Sequence, residues 1–188
     1  MERRIPLTIL LTILAGTLSA QNRASDFQIK KIDRELITPP QYNYSGAENL
    51  HESHDRWLKI DVQFAAFPEY TPEVTFKYYI LIGGKLLGGE VTHVNVLAGK
   101  ELYSSIYVPP NALTYVLGNR SPTTSAVENV AVQIVEKGEV KDELSLNRAR
   151  PQWFAALPVV AGLVVNKNET PYAPLFWDHY EQIKPAAH

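Results

Sequence analysis

From Trp57 to Val108 the chain alternates apolar and polar side chains so regularly that a helical reading of this stretch fails. Leu58, Ile60, Val62 and Phe64 interleave with Trp57, Lys59, Asp61 and Gln63, the period of two that sends one row of side chains inward and the other outward. After the breaker Pro68-Glu69-Tyr70-Thr71-Pro72, the pattern resumes at Val74, Phe76, Tyr78, Ile80 and Ile82, and Gly83-Gly84 closes that run. Thr92, Val94 and Val96 form a third run, and Leu102, Ser104, Ile106 and Val108 a fourth, separated by Ala98-Gly99-Lys100. The spacing predicts four half-buried strands joined by turns, with His93 on an outward row.

The flanks extend this pattern. Phe27 and Ile29 alternate with Gln28 and Lys30, and a first strand, with room for a kink, runs on to Leu36-Ile37 before Pro39-Pro40 stops it. Residues 38–56 are rich in turn formers and poor in aliphatics, which reads as a long connection. Pro109-Pro110-Asn111 before Ala112–Leu117, with Gly118 beyond, carries the start and stop residues of a short helix. Val130, Val132 and Ile134, the turn Lys137-Gly138, and Val140, Leu144 and Leu146 spell a hairpin. A further strand is expected at Gly162–Val165, pairing a sheet edge or buried on both faces. Leu175, Phe176, His179, Tyr180 and Ile183 recur at helical spacing and predict a closing amphipathic helix.

Many short strands with turn signals between them predict a mainly β fold, an immunoglobulin-like β-sandwich with one or two short helices. A small closed barrel is the alternative. The expected core is Leu58, Ile60, Val62, Phe64, Val74, Phe76, Ile80, Val94, Val96, Ile106, Val132 and Ile134. The Cys-Trp-Cys arrangement of antibody domains is missing, because the chain has no cysteine. The prediction therefore concerns architecture, and stability has to come from the core without disulfides.

The start of the chain reads as an address. Met1-Glu2-Arg3-Arg4, a mostly apolar run from Ile5 to Leu18, and Ser19-Ala20 before Gln21 match a secretory signal peptide. The run is shorter than the roughly 20 apolar residues that span a bilayer. Residues 1–20 are expected to be removed, leaving 21–188 as a single domain with no membrane span. The product would be exported to the periplasm, the outer membrane surface or the exterior. The formal charge of −2 becomes −3 on cleavage, since the leader holds Arg3, Arg4 and Glu2. A balanced surface of this kind lacks the basic footprint that nucleic acid requires.

No constellation of residues specifies a reaction. His51-Glu52-Ser53-His54-Asp55 is the densest cluster of potential ligands, but its histidines are three apart in a loop, whereas a metalloprotease helix places them four apart. A solvated polar loop is the simpler account. Gly83-Gly84-Lys85 and Gly88-Gly89-Glu90 lack phosphate-loop spacing and read as turn glycines. Ser104, Ser105, Ser121 and Ser125 have no nucleophile elbow. Glu139, Asp142 and Glu143 are read as a solubilising face rather than a glycosidase pair. No enzyme, cofactor or metal is expected. The suggestive feature is aromatic: among ten tyrosines and three tryptophans, Tyr79, Tyr103 and Tyr107 fall on outward rows. Rings on an outer sheet face serve carbohydrate stacking or protein contact, or else seat a second layer of the fold.

The segments Pro72–Tyr79, Gly89–Val96, Tyr107-Val108-Pro109-Pro110 and Glu128–Ile134, with Thr170–Leu175 and Trp177-Asp178 in the tail, resemble small secreted immunoglobulin-like proteins of verrucomicrobial bacteria. Some of these are encoded beside genes for type IV pilus-like machinery. The quoted residues bear on the fold, and no active-site motif comes with them. The resemblance implies an envelope protein partner, with pilus-like or secretion components as the setting. It also implies an accessory role, since the long N-terminal helix of a pilin subunit is missing. The expected function is thus a non-enzymatic structural or protein-interaction component of the cell envelope, using edge strands and the aromatic row. A carbohydrate-binding module using Tyr79, Tyr103 and Tyr107 is the alternative.

Overall fold

The computed structural model describes residues 25–40, 55–118, 120–147 and 150–185. Their elements in chain order are β1 (Phe27–Ile37), β2 (Trp57–Ile82), β3 (Lys85–Val108), α1 (Pro110–Leu117), β4 (Val127–Glu136), β5 (Glu139–Ser145), β6 (Val159–Val160) and β7 (Val165–Asn166). The strands form one 7-stranded sheet with β2 and β3 at its centre. The signal-peptide residues 1–20 and residues 51–54 of the His-rich loop lie outside the described residues.

Two of the predicted strands in the central stretch are one, twice over. Residues 57–64 and 74–82 belong to the continuous β2, and residues 92–96 and 102–108 to the continuous β3. Pro68 and Pro72 do not stop β2. Pro68 falls where the register with β3 slips between Ala66 and Tyr70, and Pro72 stands opposite Asn95, which lies at φ 58; both are irregular positions at which a sheet tolerates proline. Ala98-Gly99-Lys100 likewise bends β3 and does not reverse it. At this point the whole sheet folds over on itself.

The fold-over makes a sandwich from a single sheet. One layer holds β1, the first half of β2 and the second half of β3. The other holds β5, β4, the second half of β2 and the first half of β3. Leu58, Ile60, Val62 and Phe64 from the first layer meet Val74, Phe76, Tyr78, Ile80, Val132 and Ile134 from the second in one buried cluster. The Phe64 and Phe76 rings touch edge to face at 4.7 Å. α1 plugs the end opposite the fold-over with Ala112, Leu113, Val116 and Leu117. An isolated helix of this length is unstable in water, so α1 owes its existence to that burial.

The sandwich stops short of a closed barrel. β1 and β5 approach without a ladder between them. The seam is stitched by the Ile29 N–H donating to Asp142 Oδ2 at 2.6 Å and by Ser25 Oγ donating to the Lys141 carbonyl at 2.7 Å. The other long edge, that of β3, is covered piecemeal. β6 pairs Leu86-Leu87, Ile183 bridges His93, and β7 pairs Ile106-Tyr107. Covering an edge in this way protects it from unwanted strand addition.

Several expectations need correcting. The inner row of β3 is Val91 and His93, then Val96, because Asn95 sits at φ 58 and shifts the alternation. Val94 is half-buried on the other row, and His93 is 1% exposed rather than a surface residue. Gly83-Gly84 is a turn with positive φ at both residues, as its sequence suggests. Gly88-Gly89 is strand: a Cβ on Gly88 would meet Val159 Cγ1 at 2.5 Å, and one on Gly89 would meet Ile106 Cδ1 at 2.6 Å. These glycines permit close approach rather than a reversal. The edge strand expected at Gly162–Val165 resolves into the two short pairs β6 and β7. The tail at 171–179 is a series of turns, not a helix; Tyr172 and His179 dock on Tyr107 and Tyr103 of β3, while Phe176 and Trp177 stay exposed.

The β4–β5 hairpin and α1 stand where the sequence puts them. In the hairpin, Lys137 and Gly138 lie at φ 50 and φ 82, which suits the right-handed twist of the flanking strands. Gly138→Ala is expected to cost about 1–2 kcal/mol, the penalty for a side chain in the left-handed region. Urea unfolding checks it, and equal stability would refute the turn geometry.

Candidate functional site

Tyr79, Tyr103 and Tyr107 do point away from the core, but each supports another ring. Phe154, from the 3₁₀ turn Trp153–Ala156, stacks on Tyr79 at 3.9 Å with 10° between planes. His179 stacks on Tyr103 at 3.9 Å, and Tyr172 lies parallel to Tyr107 at 5.4 Å. Tyr107 is only 2% exposed. Tyr103 and Tyr107 share the outer face of one layer, whereas Tyr79 pairs with Gly88 and Ala131 in the other. The three residues therefore seat the segment from Trp153 onward and do not form one open platform. The second layer that covers them is this tail rather than α1.

Between the tail and the outer face of β2 lies a cleft of about 280 Å³. Its position follows from short-range chemistry. β7 pairs Asn166 with Ile106 and Val165 with Tyr107, which ties the chain to this face. A capping box then starts the 3₁₀ turn Lys167–Glu169: Asn166 accepts from the Asn168 N–H at 2.9 Å, and Glu169 Oε2 accepts from the Asn166 N–H at 2.9 Å. The turn points Lys167 inward, next to Tyr107, and it is 4% exposed.

Lys167 Nζ donates to the Ala173 carbonyl at 2.8 Å and lies 5.5 Å from the centre of the Tyr180 ring. Lys59 Nζ approaches the same ring at 5.4 Å and pairs with Asp61 Oδ2 at 3.0 Å. Tyr172 closes the wall by donating to the Ile37 carbonyl at 3.4 Å, with Trp57 edge-on to it at 6.0 Å. Burial and the neighbouring Lys59 charge lower the Lys167 pKa. Burial pushes the Tyr107 and Tyr172 phenols up to about 12, so both stay protonated. The cleft can therefore offer cations, phenol donors and apolar walls. Lys167 escaped the sequence reading because a single lysine in a polar turn carries no signal.

A second polar group was also missed, this one sealed in the core. His93 Nδ1 lies 3.0 Å from the Glu181 carbonyl, which fixes that nitrogen as a donor. Its Nε2 then accepts from Ser104 Oγ at 2.7 Å, and Ser104 in turn accepts from Tyr78 Oη at 2.6 Å. A serine in contact with a histidine suggests nucleophilic chemistry. Ser104 and Tyr78 are both 0% exposed, so no substrate reaches them, and the chain of hydrogen bonds acts as a polar clamp on the tail.

The acidic residues of the hairpin serve structure. Asp142 holds β1, and Glu143 accepts from Gln133 at 2.7 Å and from the Gln152 N–H at 3.1 Å. Among the described residues no group of three or more His, Asp or Glu side chains is placed to hold a metal ion, and no helix is long and apolar enough to cross a membrane.

A protein-family model matches residues 18–187. No curated protein matches the chain. A crystal structure of a protein from Akkermansia muciniphila, a verrucomicrobium, is similar with a TM-score of 0.74. It is 20% identical, and the alignment covers 86% of this chain and 94% of that one. At that identity the likeness speaks for the fold, and it agrees with the verrucomicrobial resemblance in the sequence.

Proposed function

The chain belongs to the family whose model matches residues 18–187, and on that premise we propose that it is an exported, non-enzymatic β-sandwich that makes protein contacts in the cell envelope. Its setting in this reading is accessory to type IV pilus-like assembly or secretion. The observation that carries the reading is the apolar surface at the fold-over, where Phe67, Tyr70 and Leu97 are 57%, 52% and 62% exposed. Tyr70 and Leu97 stand opposite each other in register. Large apolar side chains grouped at one place on the surface are typical of protein-contact sites. They replace the aromatic row as the expected contact surface, because that row is taken up by the tail.

A carbohydrate module built on Tyr79, Tyr103 and Tyr107 would need ring faces that Phe154, His179 and Tyr172 already cover, so it ranks second. Placing a photo-crosslinking residue at position 97 in cells tests the first reading. A single envelope protein is expected to be trapped there and not from exposed Glu101, and Leu97→Asp with Phe67→Asp should reduce its retention at least tenfold. Equal trapping at both positions, or retention unchanged in the double variant, would count against it.

A further inference from the structure

Lys167 is a buried cation without a counter-charge among the described residues. One of its three ammonium hydrogens goes to the Ala173 carbonyl and a second contact is the face of Tyr180. Among the described residues no carboxylate lies within ion-pair distance of it. The nearby Lys59 adds like charge, and Asp61 pairs with Lys59 through Oδ2 at 3.0 Å. Burying an ammonium costs several kcal/mol unless it is paired and fully hydrogen-bonded. A structural lysine that served only to fasten the Ala173 turn would gain by snorkelling to water, yet this one faces the cleft.

The space in front of it is selective. About 280 Å³ lies just below the usual range for drug-sized ligands, enough for one ring or a short chain and too little for a polymer. Its walls are largely apolar, with Ile37, Leu175 and Tyr172 among them, and Glu35 stands at the same cleft. A dianion would need a second free cation, and Lys59 is not free. We propose that this cleft binds a small monocarboxylate, a single ring or short chain whose carboxylate pairs with Lys167 while its body lies against Tyr107, Tyr172 and Tyr180.

Titration of the purified protein, followed by amide NMR shifts and tyrosine fluorescence, tests this with four probes. N-Acetylneuraminate and benzoate carry the carboxylate on a sugar and a non-sugar body, and glucose and benzamide are neutral counterparts. Saturable shifts centred on Tyr107, Lys167 and Tyr172 are expected from at least one carboxylate, with its neutral counterpart at least tenfold weaker. Which carboxylate binds identifies the source. Lys167→Gln should weaken binding at least tenfold, and Lys184→Gln, which removes an exposed lysine elsewhere, should not change it. No saturable binding by either carboxylate, or benzamide binding as tightly as benzoate, would overturn the assignment on the parent protein alone, whether or not Lys167→Gln folds. Equal affinity in a folded Lys167→Gln would overturn it as well.

Discussion

Ile60→Asp is expected to leave no cooperatively folded population. Ile60 is 0% exposed in the middle of β2, with Arg34 of β1 opposite it on one side and Ile106 of β3 on the other. Its side chain lies in the cluster shared by both layers, so the new carboxylate would be cut off from water, and the Arg34 guanidinium opposite is already engaged with the Val127 carbonyl at 2.6 Å. The substitution removes about 1.5–3 kcal/mol of transfer energy and adds several kcal/mol of uncompensated desolvation. A domain holds only about 5–15 kcal/mol in total. The control is Gln63→Asp, which stands on the outward row of the same strand and should stay within about 1 kcal/mol of the parent. Circular dichroism melts of both variants provide the measurement. A cooperative transition of Ile60→Asp near the parent temperature would show that the inward row has been assigned wrongly.

That row was legible because alternation is local information. Leu58 to Phe64, Val74 to Ile82 and Leu102 to Val108 each declare their faces within one strand, and the Lys137-Gly138 turn and the Pro110 start of α1 do so within a few residues. What misled the reading was equally physical. Pro68 and Pro72 are breakers in a flat sheet, but a sheet that folds over needs irregular positions, and they occupy them. Asn95 at φ 58 inverts the alternation by one residue, which moves every neighbour to the other face. His93 thereby passes from surface to core. The tail has helical spacing at Leu175, Phe176, His179 and Tyr180, yet Phe176 lies at φ 52, outside any right-handed helix, because the segment is shaped by what it covers. The outward placement of Tyr103 and Tyr107 was readable, and their covers, Tyr172 and His179, were not. Those contacts join residues more than sixty positions apart, for which a single sequence carries no local signal.

Acid is expected to weaken the fold through that relocated histidine. Burial holds the His93 pKa down from 6.5 to about 4. The unfolded chain therefore binds a proton between those values that the folded chain refuses. Where the unfolded state binds more protons, stability rises with pH, so the contribution is complete above about pH 6.5 and is lost as pH falls through 4. A difference of this size is worth about 3 kcal/mol at about 1.4 kcal/mol per unit. The hydrogen-bond chain explains the resistance. With Nδ1 donating to the Glu181 carbonyl, Nε2 must accept from Ser104. A proton on Nε2 makes Ser104 an acceptor twice over and strands its own hydroxyl hydrogen in the core. Burial raises the Glu181 carboxyl pKa, which works in the opposite direction, favouring the folded state as pH falls. Urea unfolding at pH 7.5, 6, 5 and 4 on the parent and on His93→Gln separates the two effects. The variant starts less stable at pH 7.5, and its stability should fall less between pH 6.5 and 4 by about 3 kcal/mol. Curves that stay parallel through that window, or a His93 ring resonance titrating near 6.5, would mean that the imidazole meets water and the clamp on residues 181–184 is not closed.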